Sequence, residues 1–203
     1  MLRKKWCFLI MLVFLPLVSG CASFNPHPVE EVGFERRAQT KTAGNIEVSV
    51  VALTEHESRA AMGVDVASKG IQPVWLKVTN REDIGFAIPP MAIDHDYFSP
   101  MEVAWRAHGW LTPGTNARID DYFRESRLPF RIGPDETVSG FVFTNLDKGV
   151  KYVSVELFGI KGRQVRRFNF VANVPDLNVD YTVTWRKIQS NELYKKGDIQ
   201  NLG

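Results

Sequence analysis

Cysteine and net charge are both scarce in this chain. Its 203 residues include two cysteines, Cys7 and Cys21, and carry a formal net charge of +2. Two cysteines exclude a disulfide-rich scaffold and a zinc site with four thiolate ligands. So small a charge gives no electrostatic basis for binding nucleic acid, and we expect no nucleic-acid partner. With 44% hydrophobic and 24% charged residues, the chain is long enough for one domain with a real core.

Long apolar runs are absent apart from one near the amino terminus. Three basic residues at positions 3–5 precede residues 6–18, which are apolar and interrupted only by Pro16. A helix needs roughly 20 apolar residues to cross the hydrocarbon core, so this run is too short to span a membrane. A basic start, a short apolar run and small residues at positions 19 and 20 are typical of a secretory signal peptide. We therefore predict that residues 1–20 are a signal peptide.

The end of this segment indicates how it is processed. Val18-Ser19-Gly20-Cys21 resembles the lipobox of bacterial lipoproteins, in which an aliphatic residue and two small residues precede an obligatory cysteine. The resemblance implies that Cys21 is acylated, becomes the first residue of the mature protein and anchors it stably, because it carries more than one acyl chain. Gram-negative lipoproteins retained in the inner membrane have Asp after that cysteine, whereas this chain has Ala22. The resemblance therefore implies an outer-membrane lipoprotein that faces the periplasm.

Processing would also change the composition. Cleavage removes three of the 25 basic residues and no acidic one, so 22 basic side chains remain beside 23 acidic ones. Cys7 leaves with the signal peptide, and the sulfur of Cys21 carries lipid. The mature domain is then expected to fold without disulfides, in a compartment that would allow them.

The polar stretch after the anchor has two interpretations. Residues 21–44 have little hydrophobic period and include two prolines, which is typical of a lipidated cysteine followed by a flexible tether. Such a tether would reach about 26 Å between its ends. Alternatively, residues 32–41 dock on the domain as an added edge segment.

Short β-like runs dominate the rest of the chain and predict a mainly β domain over residues 45–190. They are bounded by Gly, Pro, Asn or Asp and lie at residues 46–52, 74–79, 84–88, 137–144, 150–158, 164–172 and 181–185. About seven such runs indicate an immunoglobulin-like antiparallel β-sandwich, without the Cys–Trp–Cys core of antibody domains. Lys161-Gly162 is predicted to form a tight hairpin turn. Residues 191–203 are predicted to be a polar C-terminal tail.

Helix-start signals interrupt this pattern. Thr54 and Glu57 have capping-box spacing and predict a short helix through about Met62. Ser99 repeats the signal, followed by Pro100 at the first helical position. The second signal opens an αα insertion, predicted at about 97–128 between two strands.

The spacing of apolar residues predicts which faces of the two inserted helices are buried. For the first helix the predicted buried face is Met101, Ala104, Trp105 and His108. For the second helix it is Ile119, Tyr122, Phe123 and Ser126. Asp120 is placed to pair with Arg124 on the second helix.

Candidate catalytic and metal-ligating residues are few. Asp94, His95 and Asp96 offer carboxylate and imidazole ligands, but adjacent residues on a strand point to opposite faces and no motif supplies further ligands. A polar turn before the Ser99 helix explains them better. Ser139 lies beside Gly140 in a strand setting with no nearby histidine, so we assign no catalytic residue, metal or cofactor.

A small basic cluster comprises Arg163, Arg166 and Arg167. It could meet phosphates or lipid headgroups, although a solvated strand face accounts for it more simply. The stronger binding candidate is a group of aromatic residues: Tyr97, Phe98, Trp105, Trp110 and Tyr122. Such clusters often anchor partners. They serve equally well as a lid over the open end of a sandwich, which is the interpretation we favour.

These features predict a non-enzymatic envelope module. We expect it to attach to the membrane through its N-terminal lipid and to hold or recruit another envelope protein. An alternative is a periplasmic carrier of lipid or a small molecule, in which the helical insertion covers an apolar pocket. A third hypothesis is a metal-dependent hydrolase that uses Asp94, His95 and Asp96.

Overall fold

The computed structural model describes residues 24–94, 96–109, 113–147 and 149–174. The predicted signal peptide, Cys21, the strand predicted at 181–185 and the tail predicted at 191–203 lie outside these residues. Within the described ranges the chain is mainly β, with two antiparallel sheets and four α-helices.

The strands are β1 Gln39–Ala43, β2 Ile46–Ala52, β3 Ile71–Asn80, β4 Phe86–Ala87, β5 Tyr97–Phe98, β6 Arg131–Ile132, β7 Glu136–Asn145, β8 Val150–Gly159 and β9 Val165–Asn173. The α-helices are α1 Val29–Val32, α2 Glu55–Met62, α3 Pro100–Ala107 and α4 Pro113–Glu125. The first sheet has the order β1-β2-β3-β7-β5, and the second has the order β6-β4-β8-β9. Six of the seven predicted strands therefore fall on observed strands, and the seventh lies outside the described residues.

The two sheets share one apolar core. Alternate residues of β2 and β3, such as Val48 and Leu76, turn toward the second sheet and are buried. The inward residues of the second sheet, such as Val155 on β8 and Phe170 on β9, pack against them. This arrangement follows from the period of two along a strand, which sends every second side chain to the same face.

The opposite face of the first sheet is buried as well. Trp75 on β3 and Phe141 on β7 point away from the second sheet and pack around Phe34, which is fully buried. Phe123 of α4 packs on Phe143 of β7, with ring centroids 5.3 Å apart. We call α2, α3, α4 and the N-terminal segment 24–38 the helical layer. The molecule thus has three layers, in the order helical layer, first sheet, second sheet.

The predicted helix starts are confirmed in detail. The side chain of Thr54 accepts a hydrogen bond from the amide of Glu57, and the Glu57 carboxylate accepts one from the amide of Thr54. Ser99 accepts from the amide of Glu102 at 3.2 Å, with Pro100 as the first helical residue. The αα insertion, predicted at about 97–128, comprises α3 and α4 and lies between β5 and β6, two short strands that the sequence pattern did not predict.

For the buried face predicted on α3, Ala104 is confirmed and Trp105 is wrong. Val103 and Ala104 are the buried residues, whereas Trp105 is 69% exposed and His108 caps the end of the helix. This eight-residue helix has apolar residues on more than one side, so more than one set of residues spaced by three and four could form its buried face. The observed rotation places small side chains against the rest of the layer and leaves the indole outside. For α4, the predicted burial of Ile119 and Phe123 is confirmed.

One predicted ion pair also has a different geometry. Arg124 contacts Asp121 at 2.7 Å, and Asp120 instead contacts the ring of His108 at 2.8 Å. The packing of α3 against α4 brings His108 within reach of Asp120, a contact that spacing along one helix could not reveal.

The flexible tether predicted for residues 21–44 is not observed over residues 24–43. Phe24 and Phe34 are buried in the helical layer, and β1 pairs with β2 in register from Gln39 opposite Val50 to Ala43 opposite Ile46. The alternative interpretation, in which residues 32–41 dock on the domain as an added edge segment, agrees with the burial of Phe34 and with the pairing of β1. Buried aromatic side chains and strand pairing offset the entropy lost by ordering the segment.

The hairpin predicted around Lys161-Gly162 is present, but its turn is longer than a tight one. The amide of Gly159 donates to the carbonyl of Gln164 at 2.8 Å, which closes a loop over residues 160–163. Gly162 has φ 126°, a conformation that favours glycine.

Candidate functional site

The outer face of the second sheet carries no covering layer among the described residues. Nine large apolar side chains are exposed among the described residues, and six of them lie on β8, on β9 or in the loop between these strands. They are Val150, Tyr152, Phe158, Ile160, Val165 and Val171. Among the described residues the first sheet has no comparable face, because the helical layer covers one of its sides and the second sheet covers the other.

Strand register arranges these side chains into two patches. Tyr152 pairs with Val171 near one end of the β8–β9 hairpin, and Phe158 pairs with Val165 near the other. We call the outward residues of the two strands from 152 to 158 and from 165 to 171 the hairpin face. Tyr152 is 57% exposed and Val171 is 55% exposed, so the first patch offers substantial apolar surface to a partner.

Polar residues lie between the two apolar patches. The Ser154 hydroxyl is 3.0 Å from the amide oxygen of Asn169, and the guanidinium of Arg167 donates to the carboxylate of Glu156. The hairpin face therefore has apolar ends and a polar, internally paired centre.

The free edge of β9 is covered. The side-chain amide of Gln39 donates to the carbonyl of Val171 at 2.8 Å, and the ammonium of Lys41 donates to the carbonyl of Asn169 at 2.6 Å. Both donors come from β1, the edge strand of the first sheet. The face of the hairpin, rather than its edge, is thus the open surface.

The predicted aromatic binding surface does not form one patch among its described members. Tyr97 and Phe98 form β5 and are half-buried, Tyr97 against the core between the sheets and Phe98 against the helical layer. Tyr122 packs between Phe24 and Phe123, with centroid distances of 5.7 Å to each. Trp105 alone points into solvent. The remaining member, Trp110, lies outside the described residues.

Tyr122 also makes a specific polar contact. Its hydroxyl donates to the carbonyl of Ala61 in α2, which ties α4 to α2. Burial raises the pKa of Tyr122 to about 12 from its ordinary value of 10.0. The neutral phenol is therefore the form that this packing stabilises.

Asp94 belongs to a polar cluster at one end of the core. The Lys151 side chain is 2% exposed, and its nitrogen lies 2.6 Å from Asp94 Oδ2 and 2.7 Å from Asp147 Oδ2. The same nitrogen donates to the carbonyl of Asn145 at 3.1 Å. The other oxygen of Asp94 accepts from the amide of Asp96 at 2.8 Å, which makes the polar turn expected from the sequence.

This cluster bears on the metal hypothesis. Asp94 already contacts an ammonium group, and a metal ion bound there would have to displace it. Within the described ranges, which omit His95, no group of three or more His, Cys, Asp or Glu side chains is arranged to hold a metal ion. The burial of Lys151 was not predicted from the sequence. It could have been, because Lys151 alternates along β8 in the same inward row as Val153 and Val155.

The predicted basic cluster is largely paired within the protein. Arg166 contacts Glu82 at 3.3 Å, and Arg167 contacts Glu156 across the hairpin. Arg163 lies in the exposed loop after β8. The three arginines therefore do not form one strand face: Arg166 and Arg167 lie on opposite sides of β9, and only Arg167 lies on its solvated side.

A hollow of about 400 Å³ lies between the N-terminal segment, α4 and the first sheet. Its lining includes Pro26, Trp75, Tyr122, Ser126 and Ser139. The hydroxyl of Ser126 is buried and has no hydrogen-bond partner among the described residues. The hollow is the feature closest to the apolar pocket expected for a carrier.

No family model, no curated protein and no solved structure matches the chain. In the part of the chain that the structure describes, no helix combines the length and the apolar character needed to cross a membrane.

Proposed function

We propose that this protein is an outer-membrane lipoprotein that is anchored through Cys21 and faces the periplasm. Its function is to hold or recruit another envelope protein through the hairpin face, and it catalyses no reaction. The observation that carries the proposal is the pair of apolar patches on the one sheet face that no described residue covers. Exposed apolar surface of this kind is typical of protein interaction sites.

The centre of the hairpin face favours a protein over a lipid surface as the partner. Glu156, Arg167, Ser154 and Asn169 would all be desolvated if the face lay against hydrocarbon, and burying charged groups is expensive. A protein can cover the apolar ends and supply hydrogen bonds to the polar centre, which is how protein interfaces are usually built.

We also propose that the two sheets form an immunoglobulin-like sandwich. The order β2-β3-β7 corresponds to strands A, B and E of that fold, and the order β6-β4-β8-β9 corresponds to C′, C, F and G. The αα insertion then lies between C and C′, while β1 and β5 are additions at the edges of the first sheet. The hairpin face would be the outer surface of strands F and G.

In-cell crosslinking tests the interaction. A photoreactive amino acid at Tyr152 or at Val171 should capture the same envelope protein in intact cells. Met91, which is 69% exposed, is the matched control for an exposed apolar residue elsewhere on the domain. The proposal fails if neither position captures a reproducible protein, or if position 91 captures the same one.

A double substitution provides a second test. Tyr152→Ser with Val171→Ser should abolish the crosslink made from position 158 and should lower the free energy of unfolding by no more than about 1–2 kcal/mol, because the two exposed side chains lose mainly their cross-strand contact. Met91→Ser is the control and should retain the crosslink.

The anchor is tested separately. The mature protein should begin at Cys21 and carry the mass of its acyl chains, and Cys21→Ser should move the protein out of the membrane fraction. An unmodified Cys21 in the wild-type protein would contradict the lipoprotein assignment.

The second candidate is the carrier function, which the hollow beside Ser126 favours. Its buried hydroxyl, which has no partner among the described residues, would have to rotate toward the hollow to donate to a small ligand whose apolar part lies against Trp75 and Tyr122. Native mass spectrometry of gently purified protein should then show a bound molecule that Ser126→Val releases. A measured mass equal to that of the protein without any bound molecule would eliminate this candidate.

A further inference from the structure

The folded domain begins almost directly after the proposed anchor. Phe24 is 6% exposed, and its ring lies 5.7 Å from that of Tyr122. The guanidinium of Arg118 donates to the Phe24 carbonyl at 3.2 Å. The amide of His27 donates to the carbonyl of Ala60 at 2.9 Å. The N-terminal segment is therefore fixed to the helical layer from Phe24 onward.

The distance from the anchor to the domain is consequently short. Three peptide units separate Cys21 from Phe24. Fully extended, they span about 11 Å between the two α-carbons. Each headgroup region of a bilayer is about 5–8 Å thick. A domain held this way lies in contact with the headgroups, whereas the tether predicted from the sequence would have lifted it by about 26 Å.

The position of Phe24 determines which surface is held there. Phe24 contacts Arg118 and Tyr122 of α4, and Tyr122 contacts α2. On its other side α4 packs against α3, where His108 contacts Asp120. The anchor therefore leaves from the helical layer. The hairpin face lies beyond both sheets, which pack about 10 Å apart.

The helical layer exposes an aromatic residue suited to a membrane interface. Trp105 lies beside a hollow of about 480 Å³ lined also by Ser99, Met101, Glu102 and Arg106. Indole rings favour the headgroup region because they combine a large apolar surface with one hydrogen-bond donor. Glu102 and Arg106 are paired with each other at 2.8 Å, so their charges largely cancel near an anionic surface.

We infer that the helical layer lies on the membrane that holds the anchor, with Trp105 among the lipid headgroups, and that the hairpin face points away into the periplasm. The inference rests on the proposed lipidation of Cys21 and adds an orientation to it. It also explains why exposed apolar surface occurs on two opposite sides of the domain: one side meets lipid and the other meets protein.

Site-specific fluorescence tests this orientation with the full lipidated protein. Mature protein with an acylated Cys21 has no free thiol, so Trp105→Cys and Tyr152→Cys each introduce a single site for an environment-sensitive dye. Both proteins are reconstituted into vesicles of phosphatidylethanolamine and phosphatidylglycerol, with and without nitroxide lipids that quench at headgroup depth. The two positions are similarly exposed, which makes them a matched pair.

We expect the dye at position 105 to show blue-shifted emission and to lose most of its intensity to the nitroxide lipid. The dye at position 152 should keep its emission and be quenched only by soluble iodide. Equal quenching at both positions, or stronger quenching at 152, would overturn the orientation. Mass spectrometry of the same samples separates the two proposals, since an unmodified Cys21 would overturn both, whereas unquenched dye on acylated protein overturns only the orientation.

Discussion

The ammonium nitrogen of Lys151 lies 2.6 Å from Oδ2 of Asp94, at the end of the core between the two sheets. Lys151 occupies an inward position of β8, in the same row as Val153 and Val155. An ammonium group taken out of water is costly unless its donors are satisfied. Asp94, Asp147 and the carbonyl of Asn145 supply three acceptors. The cluster therefore closes this end of the core with a charge whose hydrogen-bond donors are satisfied.

Removing one partner of this contact should be strongly destabilising. Lys151→Met leaves the Asp94 carboxylate, 14% exposed, without its cation, and should lower the free energy of unfolding by about 3 kcal/mol. Asp94→Leu should cost a similar amount. The double variant should cost about 1–3 kcal/mol less than the sum, because the second substitution removes a charge that the first left unpaired. Urea denaturation of the four proteins measures this coupling.

The exposed pair of Asp121 and Arg124 is the control for this double-mutant cycle of Lys151 and Asp94. Both side chains are more than half exposed, and the same cycle there should give a coupling below about 0.5 kcal/mol. Additive losses at Lys151 and Asp94 would show that the two residues stabilise the fold independently of each other.

Sequence pattern was sufficient for the strands that alternate in hydrophobicity. The alternation of Ile46, Val48 and Val50 predicted β2 with its observed bounds, and β7, β8 and β9 agree within one or two residues. β1 has no such alternation, because Gln39–Ala43 is polar and mostly exposed. Its conformation comes from pairing with β2, which is tertiary information.

The candidate site was harder to predict for a related reason. The aromatic residues of the insertion are close in sequence, but the rotation of α3 and the packing of α4 send them to different surroundings. The hairpin face consists of residues that alternate normally along β8 and β9. Nothing in that pattern shows which side of the sheet another layer will cover, since both sides of each strand carry apolar residues.

Gly140 should tolerate no side chain. A β-carbon there would lie 2.5 Å from the amide nitrogen of Leu128 and 2.6 Å from the carbonyl carbon of Arg127. That segment is held across β7 by the hydrogen bond from Leu128 to the Phe141 carbonyl, so it cannot move aside freely. We expect Gly140→Ala to lower the free energy of unfolding by about 3 kcal/mol, measured by urea denaturation.

Gly114 provides the matched glycine control. It lies in α4 with open space around the position of an added β-carbon. Gly114→Ala should raise the free energy of unfolding by about 0.5–1 kcal/mol, because alanine loses less conformational entropy in a helix. A Gly140→Ala protein as stable as the wild type would contradict the close approach of the two backbones.

The hydroxyl of Tyr122 should make stability depend on alkaline pH. Its pKa is raised by burial to about 12 in the folded protein, against 10.0 in the unfolded chain. The stabilisation of the neutral phenol is therefore fully present below pH 10 and is lost as the pH rises toward about 12. Near neutral pH, Tyr122→Phe should cost about 1 kcal/mol through the lost hydrogen bond to Ala61. This difference from wild type should narrow above pH 10 and reverse sign before about pH 12, because only the wild type loses stability as the phenol of the unfolded chain ionises.

Denaturation curves across that range check the prediction for Tyr122. Tyr152→Phe is the control for a tyrosine more than half exposed on the hairpin face. If the gap between wild type and Tyr122→Phe stays constant through pH 12, the phenol does not titrate as burial requires.

Gln39 and Lys41 should protect the edge of β9 from pairing with other chains. Their side chains occupy the carbonyls of Val171 and Asn169, which an added strand would otherwise use. Replacing both residues with alanine should leave the monomer folded, at a cost of about 1 kcal/mol per hydrogen bond, and should produce concentration-dependent dimers. Sedimentation velocity measures the dimers.

Thr42→Ala, on the other side of β1, is the control and should remain monomeric to the same extent as wild type. A double variant that sediments like wild type at every concentration would show that strand β9 is protected by something other than these two side chains.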